Sequence, residues 1–216
     1  MRVRLGGTVG AVMMGVLLAS AGAEPIDQLH EFLSQTAGAR GEFTQQSQAP
    51  RPAGSGAAPA PGAPLVSQGE FEFQRPGKFR WAYRKPYDQL IISDGQFLFL
   101  YDKDLNQVTK KRLAGALPAS PASILFGAND LERDFRVEND GNKDGVEWIR
   151  ALPLAKDSPF ERIRIGFAAG LPVAMELRDS FGQKTELSFS HVQRNPALSP
   201  ERFRFNPPAG VDVLDE

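Results

Sequence analysis

The stretch from Gly69 to Asp102, GEFEFQRPGKFRWAYRKPYDQLIISDGQFLFLYD, limits the fold more than any other part of the chain. Its side chains alternate with the period of two that marks a β-strand. Lys78–Arg84 puts Phe79, Trp81 and Tyr83 on one face, with Lys78, Arg80 and Arg84 on the other. Phe71 and Phe73 precede that run; Phe97, Phe99 and Tyr101 follow it. The breaks fall at Arg75-Pro76-Gly77, at Lys85-Pro86 and at Asp94-Gly95, a strong hairpin signal. The pattern predicts strands over 65–74, 78–84, 89–93 and 96–101. The last is apolar on both faces, so it is expected to be covered on both sides. Aromatic residues this dense, at strand spacing, need a sheet with a large apolar face.

The same patterning continues along the chain. Strands are predicted over 40–46, 107–113, 134–138, 145–152, 161–167, 172–179 and 184–192, with turns at 139–145, Gly170 and Phe181-Gly182. Pro25 opens a predicted helix over 25–36, in which Ile26, Leu29, Phe32 and Leu33 recur at helical spacing. A second short helix is predicted over 120–126, with Ser120 as its cap. Between the first two strands, residues 48–63 form a Pro/Ala/Gly tract that cannot bury apolar area and reads as a flexible surface loop. One meandering antiparallel sheet of about eleven strands must curl. The expected fold is therefore mainly β: an incomplete, half-open antiparallel β-barrel with a lid of short α-helices, the helix 25–36 covering its mouth.

Residues 1–23 stand apart from this pattern. Arg2 and Arg4 precede the apolar run Val9–Ala19, and Ala21-Gly22-Ala23 supplies a small-x-small site. This reads as a signal peptide, leaving residues 24–216 as a single domain. Its removal takes two arginines and no acid, so the net charge of −1 becomes −3. With no long basic run, nucleic acid is not an expected partner. The chain has no cysteine, which excludes disulfides, thiol nucleophiles and a lipid-modified N-terminal cysteine.

No catalytic motif occurs. His30 and His191 are the only histidines, and neither sits in a metal or catalytic pattern. Asp140-x-Asn142-x-Asp144-Gly145 matches the start of a calcium loop, but Ala151 stands where a bidentate Glu is required. A polar turn is the better reading. No cofactor or metal is expected, and binding rather than catalysis is the expected role.

Several of these residues fall together in a recognisable string. Gly41-Glu42-Phe43-Thr44-Gln45 is followed by Gln74-Arg75-Pro76, Phe79, Trp81, Ser93-Asp94-Gly95, Phe99 and Tyr101, and near the C-terminus comes Phe203-Arg204-Phe205-Asn206-Pro207-Pro208-Ala209-Gly210-Val211. Over nearly all of residues 24–216 the sequence resembles the LolA family of periplasmic lipoprotein carriers. The resemblance implies a half-open barrel with a helical lid, localisation in the periplasm and no enzymatic activity. It implies acylated lipoproteins as cargo, an inner-membrane ABC transporter as donor and an outer-membrane lipoprotein receptor as acceptor, with the carrier a monomer. By position, Arg75 would latch the lid through carbonyls near Leu33, Leu125 and Phe126. Phe79 would contact the transporter. Phe71, Phe73, Trp81, Tyr83 and Phe99 would line the lipid cavity. A periplasmic lipid- or lipoprotein-sensing regulator on the same fold, a hydrolase on a β-scaffold and a generic fatty-acid binder remain alternatives.

Overall fold

The structure, a computed structural model, describes residues 24–48, 64–113, 125 and 131–215. Among these, twelve strands form one sheet. In chain order they are β1 (Gly38–Gln48), β2 (Leu65–Gln74), β3 (Lys78–Lys85), β4 (Gln89–Asp94), β5 (Phe97–Asp102), β6 (Gln107–Arg112), β7 (Phe135–Lys143), β8 (Val146–Pro153), β9 (Phe160–Ala168), β10 (Leu171–Asp179), β11 (Lys184–Arg194) and β12 (Asp212–Asp215). The spatial order is β12-β6-β5-β4-β3-β2-β1-β11-β10-β9-β8-β7, so β12 and β7 are free edges and the sheet is open rather than a closed barrel. Neighbours pair antiparallel except β12, which adds to β6 in parallel.

Helix α1 (Pro25–Gln35) lies against one face of this sheet, with Leu29 and Phe32 buried. Phe32 shows that the sheet curls around it. Its ring meets Phe73 of β2 at 6.4 Å and Phe167 of β9 at 6.2 Å, centroid to centroid. Those strands are four steps apart in the sheet, about 19 Å if it were flat. One ring bridges them only if the sheet bends inward. A second helix, α2 (Leu131–Asp134), leads into β7 and buries Leu131.

The inner face carries the main core: Phe43, Phe71, Phe73, Phe79, Trp81 and Leu98 from one half, and Ile149, Ile163, Ile165, Phe167 and Met175 from the other. A smaller cluster of Ile92, Phe99 and Val108 sits on the outer face of β4–β6, where Phe205 and Val211 of the C-terminal segment cover it. Strand β5 is therefore covered on both sides, Leu98 within and Phe99 without, as its sequence requires.

The structure departs from the sequence pattern in several places, helix α2 among them, which is not predicted. The predicted turn over 139–145 is mostly strand: β7 runs to Lys143, a register shift between Asn139 and Asn142 absorbs the irregularity, and only Asp144-Gly145 turns. Strand β12, short and exposed throughout, is not predicted, because only its pairing to β6 makes it a strand. The predicted signal segment, the Pro/Ala/Gly tract beyond Gln48 and the predicted helix 120–126 lie outside the described residues, save for Leu125, which is helical and buried.

Candidate functional site

Two glycines shape the inner face. Gly41 of β1 sits opposite Phe71 of β2, and Phe43 opposite Gly69, so each strand offers a bare backbone where its neighbour places a ring. A Cβ on Gly69 would lie 2.0 Å from the Ala82 carbonyl and 2.7 Å from the Phe43 ring; one on Gly41 would lie 2.8 Å from the Phe71 ring. With that space open, Phe43 stacks on Trp81 at 4.0 Å and Phe71 on Trp81 at 5.9 Å. Tyr83 closes the row, edge-on to Phe43 at 5.2 Å, and its hydroxyl donates to Gln45 Oε1 at 3.0 Å. Burial pushes the Tyr83 phenol above its ordinary pKa.

Phe71, Phe73, Trp81 and Tyr83 thus share one face, as the sequence predicts. Phe99 does not join them. Register explains it: Phe99 pairs with Ile92, which pairs with Arg80, so all three point away from Trp81. Phe79 does lie on the inner face, opposite Phe73, and is only 1 % exposed. A partner reaches its ring only if the covering elements move.

Arg75 stands at the end of β2, where the chain turns through the cis Arg75–Pro76 bond and Gly77. Its Nε donates to the Thr36 carbonyl at 3.1 Å and its Nη2 to the Leu125 carbonyl at 3.2 Å. The guanidinium also lies 5.1 Å from the centre of the Phe73 ring. Burial lowers its pKa, yet an arginine starts so high that it stays charged at neutral pH. Of the predicted partners, Leu125 accepts as expected. On the helix side the acceptor is Thr36, one turn beyond Leu33, whose side chain packs against the core. Phe126 lies outside the described residues. The arginine therefore joins β2 to the C-terminal end of α1 and to the segment carrying Leu125, through backbone oxygens.

Other polar contacts tie α1 to the far half of the sheet. Asn139 Oδ1 accepts from the Ile26 amide at 3.0 Å and serves the helix N-terminus, where Glu24 makes no side-chain cap bond. Gln28 Nε2 donates to Glu147, and its Oε1 accepts from the Gly170 amide at 3.1 Å. At the other end Asn195 Oδ1 accepts from the amides of Ala37 at 2.8 Å and Gly38 at 3.2 Å, and Nδ2 donates to the Gln35 carbonyl at 2.9 Å. Sequence reasoning missed these residues. Asn195-Pro196 signals only a turn, and nothing in Asn139 or Gln28 announces a partner more than a hundred positions away.

The rest of the chemistry is structural. His30 faces Glu132 at 3.0 Å and His191 faces Glu42 at 3.2 Å, all four side chains half-exposed or more. Asp140 pairs with Arg164 and Arg150 rather than shaping a loop for a cation. Among the described residues, no three His, Asp or Glu side chains are grouped to hold a metal. What the inner face offers is apolar area, covered by a helix that Arg75, Asn139, Gln28 and Asn195 hold in place.

The sequence model of the family described as "Outer membrane lipoprotein carrier protein LolA" matches residues 34–206. An "Outer-membrane lipoprotein carrier protein" of Cupriavidus necator is 52% identical over 206 residues, covering 95% of each chain. One from Ralstonia nicotianae is 48% identical over 211 residues, covering 96% of this chain and 94% of its own. Among solved structures, a LolA superfamily protein from Nitrosomonas europaea superposes with TM-score 0.50 at 10% identity, covering 84% of this chain and 96% of that one. An uncharacterized conserved protein from Thermus thermophilus gives 0.54 at 10% identity, covering 89% and 97%. At such identities these two speak for the fold alone. The family model and the close relatives go further: the chain belongs to the LolA family of outer-membrane lipoprotein carrier proteins.

Proposed function

We propose that the protein is a periplasmic chaperone that carries lipoproteins to the outer membrane. It accepts them from an inner-membrane ABC transporter, shields their acyl chains against its inner face and delivers them to an outer-membrane receptor. Residues 1–23 act as the export signal. The observation that carries this reading is the pairing of an aromatic inner face with a cover fastened to β2 by Arg75.

The energetics suit transport. Exposing an acyl chain of ~16 carbons costs roughly 12 kcal/mol at about 0.8 kcal/mol per methylene. Stacked rings supply apolar area without requiring one chain shape. Each charge-assisted hydrogen bond contributes about 1.5–3 kcal/mol net. Such bonds keep an empty site closed, and a lipid displaces them while recovering far more. On this reading Phe79 becomes available to the transporter once the cover has moved. The protein works as a binder rather than a catalyst.

The test is transfer in a purified system. Arg75→Leu is expected to take up lipoprotein from donor vesicles and to hand it on poorly to the receptor. Wild-type delivery by that variant would overturn the latch, and failure of the wild-type protein to release any lipoprotein would overturn the carrier.

A further inference from the structure

The row of rings on the inner face ends in polar side chains. In β1 the positions that share a face with Phe43 continue as Gln45 and Ser47. In β2 the face of Phe71 continues through Gly69 to Ser67, which stands directly opposite Gln45. Tyr83 of β3 brings its hydroxyl to the same place. Ser67 is only 9% exposed, and Gln45, Ser47 and Tyr83 are partly buried. A sealed core would fill these positions with apolar side chains. Polar ones that break the pattern while still largely covered point to a polar partner.

The hydrogen bonds among them run in one direction. Tyr83 donates its hydroxyl hydrogen to Gln45 Oε1 at 3.0 Å, and Gln45 Nε2 donates to Ser47 Oγ at 3.3 Å. The oxygens of Gln45 and Ser47 thus each accept one bond already. The second Nε2 hydrogen of Gln45 and the hydroxyl hydrogen of Ser47 stay unused. Ser67 adds a third donor, since its hydroxyl bonds to no described residue. All three donors are neutral. A buried carboxylate needs a paired charge, and none of these side chains supplies one. The match is a neutral acceptor: the carbonyl oxygen of an ester or amide.

The dimensions fit as well. Ser67 and Phe73 are six positions apart in β2, about 20 Å along a strand. Phe71 lies between them, with Phe43 and Trp81 stacked beside it. The acyl chains of one bilayer leaflet fill about 15 Å. A chain with its carbonyl at Ser67 therefore reaches Phe73 with its tail, beside Arg75 and Phe32 of α1. We propose that Gln45, Ser47 and Ser67 form the polar end of the lipid site. They hold ester or amide carbonyls at the head of acyl chains whose tails run along the rings toward α1. The inference rests on the lipid carriage proposed above, and adds to it the class of head group and the direction of the chains.

Calorimetric titration of the cargo-free protein tests it with two probes: a dioctanoylglyceryl-cysteinyl peptide, and its dioctyl ether analogue, which lacks the ester carbonyls. The wild type is expected to bind the ester about five- to thirtyfold more tightly, as two net hydrogen bonds imply. Ser47→Ala is expected to cut that preference about two- to fivefold. A combined Gln45→Met, Ser47→Ala, Ser67→Ala variant is expected to abolish it. Circular dichroism checks the fold of each variant, and binding of the ether checks the ring wall. The direction of the chains is read by hydrogen exchange. A dihexadecanoyl probe is expected to quicken exchange in α1, and the dioctanoyl probe, too short to reach it, to leave α1 unchanged. Equal affinity of the wild type for ester and ether would overturn the polar end and leave carriage intact. So would a preference for octanoate over the ester, or a full ester preference in the combined variant. Equal quickening of α1 by both chain lengths would overturn the direction. Binding of neither probe would overturn the inference together with the carrier reading.

Discussion

Asn195 and Gln35 lie 160 positions apart, yet Asn195 Nδ2 donates to the Gln35 carbonyl at 2.9 Å. The same carboxamide accepts from Ala37 and Gly38, so one side chain serves both the end of α1 and the start of β1. Asn195 also holds φ +50, a conformation that asparagine tolerates better than most residues. Asn195→Ala is expected to cost about 1–2 kcal/mol in urea unfolding, since it strands three backbone groups that are partly reached by water. Asn195→Asp keeps the acceptor and is expected to fall in between. Hydrogen exchange should quicken at the C-terminal end of α1 and leave β9 and β10 unchanged; uniform quickening would mean that Asn195 supports the whole fold rather than the junction.

Gly69→Ala tests the aromatic wall. The added Cβ meets backbone at 2.0 Å and the Phe43 ring at 2.7 Å, so strand or ring must shift. The expected loss is about 1–3 kcal/mol or more, as for overpacked cores. Gly145→Ala is the control: it has φ +78 and nothing within 4 Å, so it is expected to cost about 1 kcal/mol from backbone strain alone. Equal losses at the two sites would show that Phe43 does not need the bare backbone of Gly69.

This contrast also shows how far the sequence could be read. Alternation put Phe71, Phe73, Trp81 and Tyr83 on one face because period two is a local property. Parity within a single strand also places Phe97, Phe99 and Tyr101 together, but it does not say which side of the sheet they take. Register across β3, β4 and β5 decides that, and it sends Phe99 outward. Leu125 was legible as a partner of Arg75 through the resemblance, whereas Thr36 depends on where α1 stops. Asn139, Gln28 and Asn195 were illegible for a plainer reason: a polar side chain that caps a distant helix leaves no periodic trace.

The C-terminal segment is held on the outer face by an ion pair. Arg202 Nε donates to Glu72 Oε2 at 2.6 Å, and the Glu72 side chain is only 8% exposed while that of Arg202 is 47%. Removing the arginine leaves a buried carboxylate without its main partner. Solvent at the exposed end moderates the effect, so Arg202→Met is expected to cost about 1–2 kcal/mol. Glu72→Gln combined with Arg202→Met is expected to recover part of that loss. A double variant less stable than the sum of the singles would mean that the pair does not couple the segment to β2.

Alkaline unfolding reports on Tyr83. Burial raises its folded-state pKa above the ordinary value of about 10, so the unfolded chain loses the phenol proton first. The stability this contributes is complete below about pH 10 and falls as pH rises through the folded-state value. Tyr83→Phe removes the titration together with the bond to Gln45. At neutral pH the variant is expected to be less stable by about 0.5–1.5 kcal/mol, the net contribution of one hydrogen bond. Other lysines and tyrosines titrate over the same range, so the quantity to follow is the difference between the two proteins. It is expected to shrink as pH rises above about 10, because the wild type alone carries the cost of ionising Tyr83. A difference that stays constant as pH rises past about 10 would place the phenol in water and out of the aromatic wall.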